Sequence, residues 1–288
     1  MSRKEIVDVS IVCANYNNGK FLLEFIDSIV ASSVVPRQLL IVDDGSTDSS
    51  LQVLEKFSLP FLNVIVLSKN QGFANALNTA IKKAKGKYVL RIDPDDIIEK
   101  TRIEEQYRFL ETHEEIDIIG SNVKYFSENI NHIVGSSNFP MDHEGIIKKY
   151  KKGEHGLLHG TVMAKTVLFK DNIYKQENVP AEDYDIFSRM IINGARPSSI
   201  DKILTYVRIH GGSVSNDLPF STVKKTYYLR DKIFKTKTSR FVVLVNFLCL
   251  KFYRKYYFEN NFLLSGVYLV VSVIFRPDKA LRKVIGAL

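Results

Sequence analysis

Several features that define other protein classes are missing from this chain of 288 residues. It has two cysteines, Cys13 and Cys249, both in apolar runs, which excludes a disulfide-rich scaffold and favours buried thiols in a reducing compartment. The phosphate-binding patterns GxxxxGK[ST] and GxGxxG are absent, which argues against P-loop and Rossmann cofactor chemistry. The opening MSRKEIVDVS has no continuous apolar stretch after its basic residues, so we expect no signal peptide.

The sequence also lacks an apolar run of membrane-spanning length and an evenly basic surface. The uncharged runs at 241–250 and 260–275 have 10 and 16 residues, whereas a spanning helix needs about 20. The chain has 40 Lys/Arg and 32 Asp/Glu residues. Residues 224–288 contain 14 Lys/Arg and 3 Asp/Glu, a net charge of +11. Residues 1–223 contain 26 Lys/Arg and 29 Asp/Glu, a net charge of −3. The basic character belongs to the C-terminal part, so we expect no nucleic-acid partner.

Strand-like and helix-like segments alternate over the first 125 residues. The periodicity of apolar residues predicts strands at 7–14, 38–42, 61–67, 87–92 and 116–123. It predicts helices at 21–32, about 48–57, 74–84 and around Ile103 to Leu110. This order is typical of an α/β fold with a mostly parallel central sheet flanked by helices.

The pattern changes twice further along the chain. It weakens over about 131–153, a stretch that we interpret as a long functional segment or lid. A strand is predicted at 160–165, a helix at 181–192 and a strand at 202–209. After Asn216 the sequence becomes helical, apolar and basic. We therefore predict one domain over 1–216 and a helical C-terminal segment over 217–288.

Polar clusters follow four of the predicted strands. They read NYNNG (15–19), DDGSTD (43–48), KNQG (69–72) and DPDD (93–96). In open, mostly parallel sheets, ligands bind outside the carboxyl ends of the strands. The four clusters therefore predict one binding site at one edge of the sheet.

The fourth cluster lies in RIDPDD, residues 91–96, with three carboxylates within four residues. Oxygen ligands suit Mg²⁺ or Mn²⁺, and Mg²⁺ is usually held by one or two carboxylates together with substrate phosphates. An acidic turn before a helix is the alternative, because Asp is common in turns and favourable at helix N-termini.

The second cluster, DDGSTD, has a similar double interpretation. Ser46, Thr47 or Asp48 could cap the following helix, and Gly45 eases the turn. Capping leaves Asp43 and Asp44 unexplained, directly after an apolar strand. An acid in that place commonly binds ribose hydroxyls or a base N–H in nucleotide sites.

Taken in order, the motifs resemble family 2 glycosyltransferases with the GT-A fold. The resemblance covers about residues 7–215 and runs through VSIVCANYNNGKFLLEFIDSI, IVDDGSTDSS, NQGFANALNTAIKKAKGKYVLRIDPDD, HGTVMAK, AEDYDIFSRM and YVRIHGGSVS. It implies a nucleotide-sugar donor, with UDP as the expected carrier, and an inverting transfer to a saccharide or lipid-linked acceptor.

The resemblance also implies roles for individual residues. The residues matching nucleotide contacts and the loop over the donor are Ala14, Tyr16, Asp43, Asp44, Asn70 and Gly72. The residues matching the metal site, which would hold Mg²⁺ or Mn²⁺, are Asp93, Asp95 and His210. The residues matching the donor and acceptor pocket are Asp96, His159, Gly160 and Glu182. Asp183 matches the general base.

The chemistry can be compared with these residue types. An inverting transfer needs a base for the acceptor hydroxyl, which a positioned carboxylate can supply, and stabilisation of the departing diphosphate, which a metal can supply. Glu182 and Asp183 are adjacent, and neighbours on a helix point about 100° apart, so only one of them faces the site. We favour Asp183, while a cluster of acids at a helix start is the alternative for the pair. His210 gains its role only from the flanking GGSVS, since a lone histidine is more often an ordinary loop residue.

The C-terminal segment has two interpretations. Its apolar runs and Lys/Arg residues favour helices lying at a membrane interface, with the protein at the cytoplasmic face of the cell membrane. A helical appendage packed on protein, or a dimer interface, is the alternative.

Two other functions remain open. A sugar-phosphate nucleotidyltransferase usually opens with a Gly-rich basic loop after the first strand, which NYNNGK does not match. A non-catalytic nucleotide-sugar-binding module is disfavoured by the presence of Asp93, Asp95 and Asp183 together.

Overall fold

The computed structural model describes residues 4–210, 219–258 and 261–277. Contacts divide the chain into two compact units, Met1–Gly211 and Gly212–Leu288. The first unit mixes strands and helices, and the described part of the second is helical.

The first part of the α/β unit alternates strands and helices, as the apolar periodicity predicts. Its elements are β1 (Ile6–Asn15), α1 (Gly19–Val30), β2 (Val35–Asp43), α2 (Ser50–Leu54), β3 (Leu62–Val66), α3 (Phe73–Lys83) and β4 (Tyr88–Arg91). Helix α2 is shorter than predicted. Asp48 accepts hydrogen bonds from the backbone N–H groups of Gly19 (2.8 Å) and Ser50 (2.9 Å), so it fixes the loop before that helix.

The second part of the unit is less regular. Its strands are β5 (Ile97–Ile98), β6 (Ile118–Ser127), β7 (Ile133–Ser136), β8 (Met163–Lys165) and β9 (Pro197–Ile209). Its α-helices are α4 (Arg102–Thr112), α5 (His143–Lys151), α6 (Thr166–Asp171) and α7 (Glu182–Ile192). Single 3₁₀ turns lie at His159–Thr161 and Gln176–Asn178.

The nine strands of the described residues form one sheet in the order β3-β2-β1-β4-β8-β6-β9-β5, with β7 paired to β6. Strand β1 is parallel to β2 and β4, β2 is parallel to β3, and β6 is parallel to β9. Strand β8 is antiparallel to both β4 and β6, so those two strands run in the same direction. Six strands therefore share one direction, and the predicted mostly parallel sheet is confirmed.

The core forms where β1, β2 and β4 meet the helices. In α1, Leu22, Phe25, Ile26 and Ile29 recur at helical spacing and are buried against the sheet. Each such side chain contributes about 1.5–3 kcal/mol through burial. Cys13 lies in this core, and both cysteines are buried and free, as predicted.

The segment over 131–153, where the sequence pattern weakens, contains regular secondary structure, and its interpretation as a functional segment or lid stays a prediction. It contains β7 and α5. Asp142 caps α5, its carboxylate accepting a hydrogen bond from the Gly145 N–H at 2.7 Å. Only Ile146 and Tyr150 of this helix are buried, which is too few to reveal a helical period in the sequence.

Two further boundaries differ from the sequence prediction. The strand expected at 160–165 begins only at Met163, after the 3₁₀ turn at His159–Thr161. Strand β5 separates RIDPDD from the next helix, which begins at Arg102. Asp96 therefore does not cap that helix, an option that the acidic-turn interpretation left open.

The described part of the second unit consists of α8 (Phe220–Phe234), α9 (Arg240–Phe258) and α10 (Phe262–Phe275). Its small core contains Val223, Tyr227 and Val243. Helix α10 exposes an apolar stripe at helical spacing, consisting of Leu263, Val267, Val270 and Ile274. None of the described helices is long and apolar enough to cross a bilayer.

A substitution at Gly86 tests how closely β1 approaches the turn before β4. A Cβ at this position would lie 2.6 Å from the Ser10 backbone N and 2.8 Å from the Val9 carbonyl carbon. Gly86→Ala should therefore lower the free energy of unfolding by about 1–3 kcal/mol, measured by urea denaturation followed by far-UV circular dichroism. Lys85→Ala, which truncates the exposed neighbouring side chain, should stay within about 0.5 kcal/mol of the native protein. Equal stability of both variants would contradict this packing.

Candidate active site

The carboxyl ends of the parallel strands lie side by side. The register pairs Asn15 of β1 with Asp43 of β2, and Val12 of β1 with Arg91 of β4. The predicted clusters after these strands therefore lie at one edge of the sheet. Among the predicted nucleotide contacts, Ala14 is buried near the end of β1 and Tyr16 is largely exposed just beyond it.

Asp43 organises the turn after β2. One carboxylate oxygen accepts a hydrogen bond from Asn15 Nδ2 at 2.7 Å, and the other accepts one from the Ser46 N–H at 2.9 Å. Asp43 is fully buried. Its position beside Asp44 is as predicted, and its observed contacts hold the loop in place.

Asp44 joins two of the strand-end clusters. Its carboxylate accepts hydrogen bonds from the Gln71 N–H at 2.7 Å and the Gly72 N–H at 2.8 Å. Gly72 has a φ of +94°, and a Cβ there would meet the Gln176 side chain at 2.4 Å. Asn70 Oδ1 accepts a second hydrogen bond from Gly72 at 3.1 Å. The loop over 69–72 is thus tied to the end of β2.

The acid cluster after β4 contains an arginine that the sequence analysis did not use. Arg91 is 2% exposed, and both of its terminal nitrogens donate to the Asp93 carboxylate at 2.5 Å. Its guanidinium also lies 5.3 Å from the centre of the Phe73 ring. Burial raises the pKa of Asp93 from its usual range, and Asp95 adds to this rise, while Arg91 opposes it.

The other two acids of the cluster are bound by β9 and the residue that follows it. Asp95 Oδ2 lies 3.0 Å from His210 Nε2, which brings two of the predicted metal ligands together. Asp96 Oδ1 accepts a hydrogen bond from the Arg208 backbone N–H at 3.0 Å. Burial raises the pKa of Asp96 well above its usual range, and the charges of Asp95 and Asp93 raise it further.

Arg208 is buried. Its Nε donates to the Asp95 carbonyl at 3.0 Å, and its Nη2 pairs with the Glu24 carboxylate. The guanidinium lies between two aromatic rings, 4.8 Å from the centre of Phe21 and 4.5 Å from that of Phe126. These contacts fix the end of β9 against the acidic loop and so position His210.

The three predicted metal ligands do not converge on one point. Over residues 4–210, 219–258 and 261–277, no group of three or more His, Cys, Asp or Glu side chains is placed to hold a metal ion. Asp93 is engaged by Arg91, which leaves Asp95 and His210 as the adjacent pair. A carboxylate suits Mn²⁺ or Mg²⁺ when substrate phosphates complete the coordination, so Asp95 fits a metal on a diphosphate, whereas the His210 imidazole is a softer donor than these ions prefer.

Helix α7 begins with the two acids expected to include the base. Asp183 is 19% exposed, and its carboxylate lies 3.2 Å from His155 Nε2. Burial would raise its pKa, but the charge and hydrogen bond of His155 outweigh burial and hold the pKa well below its usual range. The Asp183 charge in turn raises the pKa of Asp93, so α7 and the β4 cluster share one electrostatic field.

Glu182 has the opposite environment. It is 8% exposed, and its Oε2 makes no hydrogen bond to any residue that the structure describes. Burial, reinforced by the neighbouring Asp183 charge, raises its pKa to about 7. Two adjacent carboxyl groups thus have widely separated pKa values, which is typical of acid–base sites.

His159 and Gly160 line the wall between these groups. His159 is buried, with Nε2 2.6 Å from Tyr174 Oη, and burial lowers its pKa well below the usual range. A Cβ on Gly160 would lie 3.3 Å from Asp96 Oδ2 and 3.5 Å from Arg91 Nη1. The glycine therefore keeps the space above the acids open.

Glu182 provides a test of this electrostatic arrangement. Because its pKa rises from about 4.5 in water to about 7 in the folded protein, the charged form disfavours the native state as pH increases across that window. Glu182→Gln should therefore gain stability over the native protein by about 2 kcal/mol between pH 4.5 and pH 7.5. Urea denaturation at both pH values measures this. The exposed Glu115→Gln is the control, and a pH-independent effect of Glu182→Gln would contradict the assignment.

The chain is similar to known proteins of one family. The family model described as "Glycosyl transferase family 2" matches residues 10–172. The Escherichia coli protein named UDP-Glc:alpha-D-GlcNAc-diphosphoundecaprenol beta-1,3-glucosyltransferase WfaP is 28% identical over 211 residues, which cover 72% of this chain and 79% of that protein.

Two solved structures have the same fold. The S. aureus TarS 1–349 complex with UDP-GlcNAc has a TM-score of 0.63 and 21% identity, covering 92% of this chain and 79% of that one. The mannosyltransferase PcManGT from Pyrobaculum calidifontis, in complex with GDP-Man and Mn²⁺, has a TM-score of 0.60 and 15% identity, covering 99% and 81%. Since the family match spans more than half of the chain, the protein belongs to glycosyl transferase family 2 and is a glycosyltransferase with the GT-A fold.

Proposed function

We propose that the protein is an inverting, metal-assisted glycosyltransferase that moves a sugar from a UDP-sugar to a hydroxyl of a saccharide or lipid-linked saccharide. One observation carries the proposal. The Asp183 carboxylate at the start of α7 lies 3.2 Å from His155 Nε2, and its negative charge acts on Asp93 in the acidic cluster after β4. A positioned carboxylate can act as the base, and acids that bind a cation can assist departure of the diphosphate, which together suit a direct displacement at a sugar carbon.

The nucleotide is assigned to the ends of β1 and β2 and to the loop over 69–72. The residues proposed to form this part of the site are Ala14, Tyr16, Asp43, Asp44, Asn70 and Gly72. Asp44 supports the assignment, because its buried carboxylate accepts two backbone hydrogen bonds and so joins two of these segments. TarS, solved with UDP and with UDP-GlcNAc, has the same fold.

The metal is assigned to the space beside Asp95 and His210, with Asp93 next to them. When bound, Mn²⁺ or Mg²⁺ would stabilise the charge on the departing diphosphate as a Lewis acid. Asp93 is oriented by Arg91, whose buried guanidinium offsets the negative charge of the loop. The PcManGT structure, which has the same fold and contains Mn²⁺ with GDP-Man, supports the use of a divalent metal.

The transfer itself needs one proton movement within the protein. Asp183 takes the proton of the acceptor hydroxyl while the hydroxyl oxygen bonds to the anomeric carbon. The bond between that carbon and the phosphate oxygen breaks on the opposite face, and the nucleoside diphosphate leaves. The pocket around the sugar and acceptor is assigned to Asp96, His159, Gly160 and Glu182.

The second unit is proposed to contact the membrane surface. Helix α10 exposes its apolar stripe to solvent, and residues 224–288 carry a balance of +11. An apolar stripe beside Lys and Arg suits an interface that contains anionic lipids. A lipid-linked acceptor, as in the name of WfaP, would then be met at the cytoplasmic face of the membrane.

Substitutions of Asp183 and Asp95 are expected to impair different steps, namely sugar transfer and metal-dependent UDP binding. Asp183→Asn should lower nucleoside diphosphate release by about 100-fold or more, because the base is lost, while metal-dependent UDP affinity stays within about twofold. Asp95→Ala should weaken that affinity at least about tenfold, or 1.4 kcal/mol. Calorimetry with UDP and Mn²⁺, alongside a release assay over a panel of nucleotide sugars, separates the two.

Asp171→Ala, at the exposed end of α6, is the matched control and should leave both properties unchanged. Full activity of Asp183→Asn would show that the base is another residue. Pyrophosphate-dependent formation of a nucleoside triphosphate by the native protein would favour a nucleotidyltransferase. A native protein with neither turnover nor metal-dependent UDP binding would be a non-catalytic module.

Membrane contact can be tested on the full chain with vesicles that contain phosphatidylglycerol. Replacing Val267 and Ile274 with Glu puts charge on the apolar stripe of α10, so co-sedimentation should fall at least about fivefold. Val167→Glu, which charges an exposed apolar position on α6, should bind vesicles like the native protein. A native protein that does not bind these vesicles would refute the membrane proposal.

A further inference from the structure

His155 contacts the proposed base from a loop that the sequence analysis did not assign to the site. Its Nε2 lies 3.3 Å from Asp183 Oδ1 and 3.2 Å from Asp183 Oδ2, so one ring nitrogen faces both carboxylate oxygens. The His155 side chain is 40% exposed. It therefore lies between the carboxylate and solvent.

The sequence fixes this loop through the end of α5. Gly153 has a φ of +73°, its N–H donates to the Tyr150 carbonyl at 2.9 Å, and the Glu154 N–H donates to the Lys149 carbonyl at 3.0 Å. This pair of bonds, with glycine in the left-handed region, is a Schellman motif. A Cβ on Gly156 would lie 2.8 Å from the Ile146 carbonyl oxygen. His155 thus lies between two glycines, at which the loop packs closely against α5.

Helix α7 supports the other side of the contact. The Tyr184 hydroxyl donates to the Tyr150 carbonyl, and the two rings lie 5.5 Å apart, which ties α7 to α5. The His155 ring meets the Tyr184 ring edge-on at 5.6 Å. The Tyr184 N–H also donates to Asp183 Oδ1 at 2.7 Å. Both members of the His155–Asp183 pair are therefore oriented by residues outside the pair.

We propose that His155 is a positioning residue, whose Nε2–H donates to Asp183, fixes the plane of that carboxylate and keeps it ionised for the acceptor hydroxyl. The proposal rests on Asp183 being the base. An ionised carboxylate offers only acceptors, so the facing nitrogen must carry the proton. The inference adds a residue to the reaction and needs no other reactant.

Several other titratable groups interact with the His155–Asp183 pair and would affect the pH dependence of activity. The groups that act on Asp183, or on which it acts, are Glu182, His159, Asp93, Tyr150 and Tyr174. Burial favours the protonated form of Asp183, whereas the charge and hydrogen bond of His155 are the largest effects that lower its pKa. Removal of His155 should therefore shift the base toward protonation at a given pH.

His155→Phe keeps an aromatic ring against Tyr184 but removes the N–H. The acidic limb of its kcat/KM profile for nucleoside diphosphate release should move to higher pH by about one unit or more, with the donor KM within about twofold. His155→Gln, which retains an N–H donor without the charge, should shift the limb less and recover part of kcat. His132→Phe, in the β6–β7 hairpin, should leave the profile unmoved.

A measurement that does not depend on turnover checks the contact itself. Imidazole ¹⁵N NMR should give a lower titration midpoint for His155 in Asp183→Asn than in the native protein, because the neighbouring negative charge is lost. An unmoved midpoint would overturn the proposal.

The outcomes separate this inference from the function on which it rests. If Asp183→Asn is inactive but His155→Phe loses activity equally at all pH values with an unmoved limb, His155 has only a structural role and the inference fails. If Asp183→Asn keeps full activity, the base assignment fails first, whatever the NMR titration shows. An unmoved limb with full activity in His155→Phe also rejects the inference.

Discussion

Two buried arginines make the acidic end of β4 possible. Three carboxylates in four residues repel one another in a buried loop, which raises the pKa of Asp93 and Asp96, and Arg91 opposes this rise. Arg91 binds Asp93 through two hydrogen bonds, while Arg208 binds Asp96 through its backbone and the Asp95 carbonyl through its guanidinium. Asp95 is left facing His210. The arginines thus decide which carboxylate is available to a cation.

A second constraint is the attachment of α7 to α5. Asp183 lies at the start of α7, and α5 supplies both Tyr150, which anchors Tyr184, and the turn that carries His155. The same helix start holds Glu182 with a pKa near 7 and Asp183 with a pKa well below its usual range. The first turn of α7 therefore holds one carboxyl group with a raised pKa next to another with a lowered pKa.

The sequence predicts the parts of this molecule that depend on local pattern. Strands β1 to β4 and helices α1 and α3 follow from apolar periodicity, and their order implies that the polar clusters meet at one edge. The pairings within the site could not be predicted in this way. Asp96 and Arg208 lie 112 residues apart, and His155 and Asp183 lie 28 apart, so only the folded chain shows that each pair is in contact. Helix α5 was missed because it buries only two side chains.

The central claim is that the strand-end clusters form one site, with the nucleotide beside Asp44 and a cation beside Asp95 and His210. A crystal structure of the full chain with UDP and Mn²⁺, with anomalous scattering used to locate manganese, tests it most directly. The account predicts manganese bonded to Asp95 and to the UDP diphosphate, with the uracil against the segment that joins Asp44 to the loop over 69–72. Manganese away from Asp95, or UDP bound outside this edge of the sheet, would contradict it.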